Sequence, residues 1–153
     1  MRTIQAIRQR GFTLIELLLS VVIIGILGGV TAPVYNSFAV RNDLDITGQQ
    51  IVESLRRAQT YARAMDDDSA WSVEIQTSAA TLFRGTNFGG RDTSLDEAVT
   101  IPGSITRSGL TEVQFAKLTG LPNTTGSITL TSNTNEVRTI TINAKGMVNM
   151  VNS

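Results

Sequence analysis

Glu16 is the residue of this 153-residue chain that most needs a chemical reason, because it stands at the head of an apolar run. Leu17 to Val40 carries no charge, and its first part, LLLSVVIIGILGGV, is almost wholly aliphatic. A carboxylate inside a bilayer costs about 2.5–3.5 kcal/mol at mid-depth and less near the interface. A cut between Gly11 and Phe12 would supply the compensating cation. The new α-ammonium would lie one helical turn from Glu16, or within reach of the Glu16 of a neighbouring subunit. At ~4 Å and an effective dielectric of about 20 such a pair is worth up to roughly 4 kcal/mol before desolvation is subtracted. The odd glutamate therefore makes sense if a peptidase removes the leader on the cytoplasmic side.

Other chemistry is scarce. The chain has no Cys and no His, which removes disulfides, thiol nucleophiles, His-based triads and most zinc sites. No nucleophile motif or paired-carboxylate constellation stands out, so no catalytic residue, cofactor or metal is expected. Asp66-Asp67-Asp68 lacks the spaced acids of a calcium loop and reads as a solvated helix end. Gly25-Ile26-Leu27-Gly28-Gly29 lacks the Lys of a phosphate-binding loop. The sequon Asn123-Thr124-Thr125 reads as a turn.

The element that must carry Glu16 is a helix long enough to cross a bilayer, which takes about 20 residues. Arg2, Arg8 and Arg10 precede it, while Arg41 is mixed with Asp43 and Asp45 beyond it. That asymmetry predicts a cytoplasmic N-terminus and an exported remainder. A cleaved secretory signal is disfavoured by Pro33 after Val30-Thr31-Ala32, and a lipoprotein by the missing Cys. A plain membrane anchor would leave Glu16 unexplained. Past the apolar run, Val40, Leu44, Thr47, Ile51, Leu55, Ala58, Ala62 and Met65 recur at three- and four-residue steps, the mark of an amphipathic helix. Glu53 and Arg57 sit at i,i+4 on its other side. Unbroken from Phe12 to Met65, such a helix would measure roughly 80 Å.

After Ser69 the period changes to two. Trp71, Val73 and Ile75 alternate with polar residues, as do Val113 and Phe115, Ile128 and Leu130, and Ile140 and Ile142; Leu82-Phe83 and Val99–Ile101 are weaker strands. Turn chemistry at Asn87–Gly90, Pro102-Gly103, Pro122-Asn123, Asn133–Asn135 and Asn143–Gly146 separates them. A sheet this small buries too little alone, so the amphipathic helix is expected to complete its core, with Trp71 packed near the helix end. The predicted class is α+β: a long N-terminal helix on a small antiparallel, sandwich-like head. The expected division is a leader 1–11, a transmembrane half-helix 12–40, an amphipathic half-helix 41–65 and a β-rich head 66–153.

Gly11-Phe12-Thr13-Leu14-Ile15-Glu16-Leu17-Leu18, behind a short basic leader and before an apolar stretch, resembles the type IV prepilin signature of type IV pilins and type II secretion pseudopilins. The resemblance implies that Gly11 precedes the cut made by a prepilin peptidase, that Phe12 becomes an N-methylated N-terminus, and that Glu16 pairs with a neighbour's amine during assembly. Gly25 and Pro33 fall where such helices carry helix-weakening residues. Val113-Gln114-Phe115 with Gly120, Gly126–Leu130, Arg138–Asn143 and Gly146-Met147-Val148 look like the GspH/FimT group of minor pseudopilins and minor pilins. That likeness implies a low-copy subunit near a filament tip. Its partners would be other pilins or pseudopilins and an inner-membrane platform with a separate ATPase. The alternative it raises is DNA capture in natural transformation. Phosphate contacts would require clustered basic residues, whereas the tail 146–153 has no charged side chain and the chain without its leader is net negative. Arg84, Arg91 and Arg107 are the dispersed candidates.

Overall fold

The computed structural model describes residues 11–152, apart from the side chains of residues 30–37 and Asp67. Helix α1 runs Leu14–Ala64 and is followed by a 3-10 turn at Asp66–Asp68. Met65 adopts a left-handed conformation, φ 55°, that ends the helix. Eight strands follow: β1 Trp71–Ile75, β2 Ala79–Arg84, β3 Glu97–Thr100, β4 Ile105–Gly109, β5 Glu112–Phe115, β6 Gly126–Ser132, β7 Val137–Ile142 and β8 Val148–Asn152. They form two antiparallel four-stranded sheets, ordered β3-β2-β1-β5 and β4-β6-β7-β8. The class is α+β, as expected.

The chain divides inside α1 into two compact units, Met1–Asn36 and Ser37–Ser153. In the first, the described side chains from Leu17 to Gly29 are exposed. Among the described residues no helix is long and apolar enough to cross a membrane. Residues 30–37 of the expected crossing at 12–40 lie outside the residues whose side chains are described. The side chain of Pro33 lies in that gap, although its backbone is part of α1.

In the second unit the predicted stripe is the buried one. Leu44, Ile51, Leu55, Ala58 and Ala62 are fully buried, and Thr47 nearly so, whereas Met65 at the helix end is 44% exposed. They join one core with Trp71, Val73 and Ile75 of β1, Val113 and Phe115 of β5, Ile128 and Leu130 of β6, and Ile140 and Ile142 of β7. Gly48 lets β8 come close, since a Cβ there would stand 2.7 Å from the Met150 sulfur. Trp71 packs as predicted, its ring 4.8 Å from that of Tyr61 on α1. Its indole N–H donates to the Asp66 carbonyl at 3.2 Å.

Arg57 does more than the i,i+4 contact expected of it: it feels Glu53 electrostatically, and it also reaches Glu97 on β3 at 2.5 Å and the Tyr61 hydroxyl at 3.1 Å. Strands β4 and β8 went unread in the sequence, and both are sheet edges.

Candidate processing and assembly site

Gly11, Phe12 and Thr13 have no regular structure and are exposed. The helix begins at Leu14 because Thr13 caps it: the Glu16 backbone N–H donates to Thr13 Oγ1 at 3.3 Å. Thr13-Leu14-Ile15-Glu16 is thus the S/T-x-x-E arrangement in which a hydroxyl satisfies an orphan N–H of the first turn. The Leu17 N–H meets the Thr13 carbonyl at 3.2 Å, and Ser20 Oγ donates to the Glu16 carbonyl at 2.7 Å. Thr13 was missed as a functional residue in the sequence reading, although the spacing to Glu16 was the signal for it.

The cap fixes where the scissile bond would lie. Gly11–Phe12 falls one residue before the cap, outside the hydrogen-bonded helix, and Phe12 is 82% exposed. A protease needs an extended, accessible backbone, and nothing stands within 4 Å of where a Gly11 side chain would be. Gly11, Phe12, Thr13 and Glu16 line one shallow recess of about 420 Å³. The structure brings Gly11, Phe12 and Glu16 together in that recess. Glu16 occupies the first helical turn, where partial positive charge from the free N–H groups favours a carboxylate. A helix-end α-ammonium released at Phe12 would add a full charge to it. Gly25 sits in the helix away from this recess, with no side chain near it.

Residues 7–32 match the prokaryotic N-terminal methylation motif.

That match brackets Gly11, Phe12 and Glu16 and supports a type IV pilin-like precursor with a prepilin-like leader, the kind of chain a prepilin peptidase processes for assembly with other pilins. It implies anchoring in a membrane. It ends before Pro33 and does not reach the strands that resemble the GspH/FimT group. Compared with curated proteins and with solved structures, the chain has no match.

The remaining candidates are placed elsewhere. Asp68 pairs with Lys117, and among the described residues no group of three or more Asp and Glu could hold a metal ion. Arg84 lies 3.7 Å from Asp92. Arg91 forms a fork with Asp96 at 3.0 and 2.8 Å while its guanidinium covers the Phe88 ring at 3.5 Å. Arg107 donates to the Leu110 carbonyl at 3.4 Å. Two of the three arginines considered for DNA are thus engaged with carboxylates, and Val148–Asn152 of the charge-free tail form strand β8.

Proposed function

We propose that this chain is the precursor of a minor pilin or pseudopilin, a structural subunit and not an enzyme. A prepilin peptidase cuts between Gly11 and Phe12, and Phe12 is N-methylated. Residues 12–40 span the bacterial inner membrane once, with the N-terminus cytoplasmic and the head beyond the membrane. Assembly then exchanges lipid around Leu17–Val30 for the apolar helices of neighbouring subunits, so little apolar surface meets water at any step. Glu16 pairs with the α-ammonium of a neighbour. An inner-membrane platform and a separate ATPase drive extraction, and the subunit sits in few copies near the tip, as in the GspH/FimT group it resembles.

The observation that carries this reading is the methylation-motif match over 7–32, laid over an exposed Gly11–Phe12 bond immediately before a capped helix bearing Glu16. No specific observation favours the DNA-capture alternative. The test is intact mass spectrometry after coexpression with a prepilin peptidase. The expected product lacks Met1–Gly11 and carries one added methyl group at Phe12, and Gly11→Val stays uncut. A product that retains the leader would sink the proposal.

A further inference from the structure

The sheet ordered β4-β6-β7-β8 ends in two strands whose outer backbone groups can be identified from the bonds that close their ladders. The Asn143 N–H donates to the Met147 carbonyl at 3.2 Å. Hydrogen-bonded and non-bonded pairs alternate along an antiparallel ladder, so Val148, Met150 and Asn152 turn their N–H and C=O groups away from β7. Arg56 confirms this phase by donating to the Val148 carbonyl at 3.0 Å from outside the sheet. On β4 the Leu110 N–H meets the Ser127 carbonyl at 3.0 Å and the Asn133 N–H the Ser104 carbonyl at 2.9 Å. Ile105, Arg107 and Gly109 therefore face outward.

Exposed edges of this kind pair with other strands unless a device prevents it. The other sheet has one: residues 121–123 close the edge of β5, with Ala116 N–H on the Leu121 carbonyl and Asn123 N–H on the Gln114 carbonyl, each at 2.9 Å. Among the described residues no backbone segment closes β4 or β8 in this way. On β8 only the Arg56 side chain occupies an edge group, the Val148 carbonyl, and must give it up for an incoming strand to use it; β8, Val-Asn-Met-Val-Asn, has neither a charge nor a proline. Because the four strands alternate in direction, the two edge strands run opposite ways. A second copy in the same orientation thus presents β4 antiparallel to β8.

We propose that β8 of one copy pairs with β4 of a second copy, with Met150 opposite Arg107, so that the sheet continues from head to head. In this register the free groups match: the N–H groups of Val148, Met150 and Asn152 face the carbonyls of Gly109, Arg107 and Ile105, and the Arg107 N–H faces the Met150 carbonyl. Two positions of the register are already used: the Val148 carbonyl, opposite the Gly109 N–H, is held by Arg56, and the Ile105 N–H, opposite the Asn152 carbonyl, donates to the Pro102 carbonyl at 2.9 Å, which leaves four inter-copy bonds. The β8 edge borders a recess of about 500 Å³ lined by Val52, Glu53, Arg56 and Met150; the incoming Arg107 would pair with the exposed Glu53 on the far side from Arg56, whose guanidinium is at Val148. The contact is heterologous and leaves one edge free on each copy, so it propagates as a line. It goes beyond the leader reading and rests on the sheet edges alone.

The absence of cysteine permits a clean test. Asn149 and Ser108 would form a non-hydrogen-bonded pair across the contact, where side chains lie closest, and both are exposed. Within one copy β7 and β6 separate them by roughly 14 Å, three strand spacings of about 4.8 Å, beyond the ~7 Å a disulfide can bridge. The full-length chain carrying Ser108→Cys and Asn149→Cys, oxidised in membranes, should give a ladder of dimers, trimers and longer species on a non-reducing gel. It should do so with or without prepilin peptidase, which separates this result from leader processing. Either single variant should stay monomeric, a mixture of the two should stop at dimers, and Glu53→Arg should lower the ladder yield severalfold. Maleimide labelling of a separate, unoxidised portion checks that both cysteines are displayed on a folded head. A double variant that labels fully in that portion yet gives no ladder on oxidation overturns the proposal, as do dimers from a single variant, which would indicate a two-fold contact.

Discussion

Arg138 on β7 and Asp45 on α1, 93 residues apart, form an ion pair with Nε 2.6 Å from Oδ1, the arginine side chain only 8% exposed and the aspartate 37%. The same guanidinium donates to its neighbour's carbonyl, that of Val137, at 3.0 Å, and stands 3.8 Å from Glu136. Arg41 in turn grips Glu136 at 3.0 and 2.9 Å. The amphipathic half of α1 is thus tied to β7 by charge as well as by its apolar stripe.

Removing the aspartate leaves a buried cation with only the more distant Glu136, at 3.8 Å, as countercharge. A fully buried pair loses 3–5 kcal/mol when broken, and the partly exposed Asp45 lowers that, so Asp45→Ala should cost about 2 kcal/mol. Arg138→Met, which deletes the charge and keeps the bulk, should cost less. Denaturant unfolding of both variants in detergent measures the difference; equal losses would mean that the arginine's packing, not its charge, is what matters.

Acid should act in opposite directions at two glutamates. Arg41 holds the Glu136 carboxyl below its ordinary range, first by hydrogen bonding and then by charge. Its stabilisation is present above the unfolded glutamate pKa of 4.5 and is lost as pH falls through the lower folded value. Glu74 is pushed up by burial and then by Glu112, its cross-strand partner, with Arg107 and Arg91 opposing. The stabilisation linked to its raised pKa is complete below 4.5 and disappears as pH rises through the higher folded value. Thermal melts from acid to neutral pH should therefore show Glu74→Gln gaining on the parent as pH rises past 4.5, and Glu136→Gln losing ground to it. Parallel curves would refute both assignments.

Gly146 has φ +75°, and a Cβ there would lie 2.0 Å from Nε2 of Gln59 and 3.1 Å from the Gly120 carbonyl. That amide donates to the Gly120 and Lys145 carbonyls at 3.0 and 3.3 Å, joining α1 to two loops. Left-handed backbone costs an L-residue about 1–2 kcal/mol, and displacing the amide forfeits roughly 1 kcal/mol per bond. Gly146→Ala should thus cost about 2–4 kcal/mol, and the double variant with Gln59→Ala should cost less than the sum of the two singles. Strict additivity in a double-mutant cycle would remove Gln59 from the explanation.

Arg91 secures the segment between β2 and β3 through Asp96, the Phe88 ring and the Phe88 carbonyl. Phe88 covers the buried Phe83 edge-on, with ring centroids 5.4 Å apart. Arg91→Lys keeps the charge and loses the planar fork, so the loop should open locally while the two sheets hold. Hydrogen exchange should quicken at Gly89 and Ser94, whose N–H groups are held by Asn87 and Asp92, with β6 and β7 unchanged. Acceleration throughout the head would show that the latch stabilises the whole domain.

The sequence by itself determined the local features. Its three- and four-residue steps fixed the buried stripe of α1, and alternation fixed β1, β5, β6 and β7, because each of those signals arises from one element's own geometry. The cap at Thr13 is likewise a local feature, legible in its three-residue distance from Glu16. Tertiary structure decided whatever depends on a partner far along the chain. Ile105-Thr106-Arg107-Ser108-Gly109 has a single fully buried apolar residue and becomes β4 only because β6 supplies its ladder. Val148–Asn152 reads as an uncharged tail until β7 and Gly48 receive it. Arg57 gained Glu97 in addition to Glu53, and Asp45 found Arg138, because packing brings distant charges together at an entropy cost already met by folding, a choice no local pattern encodes.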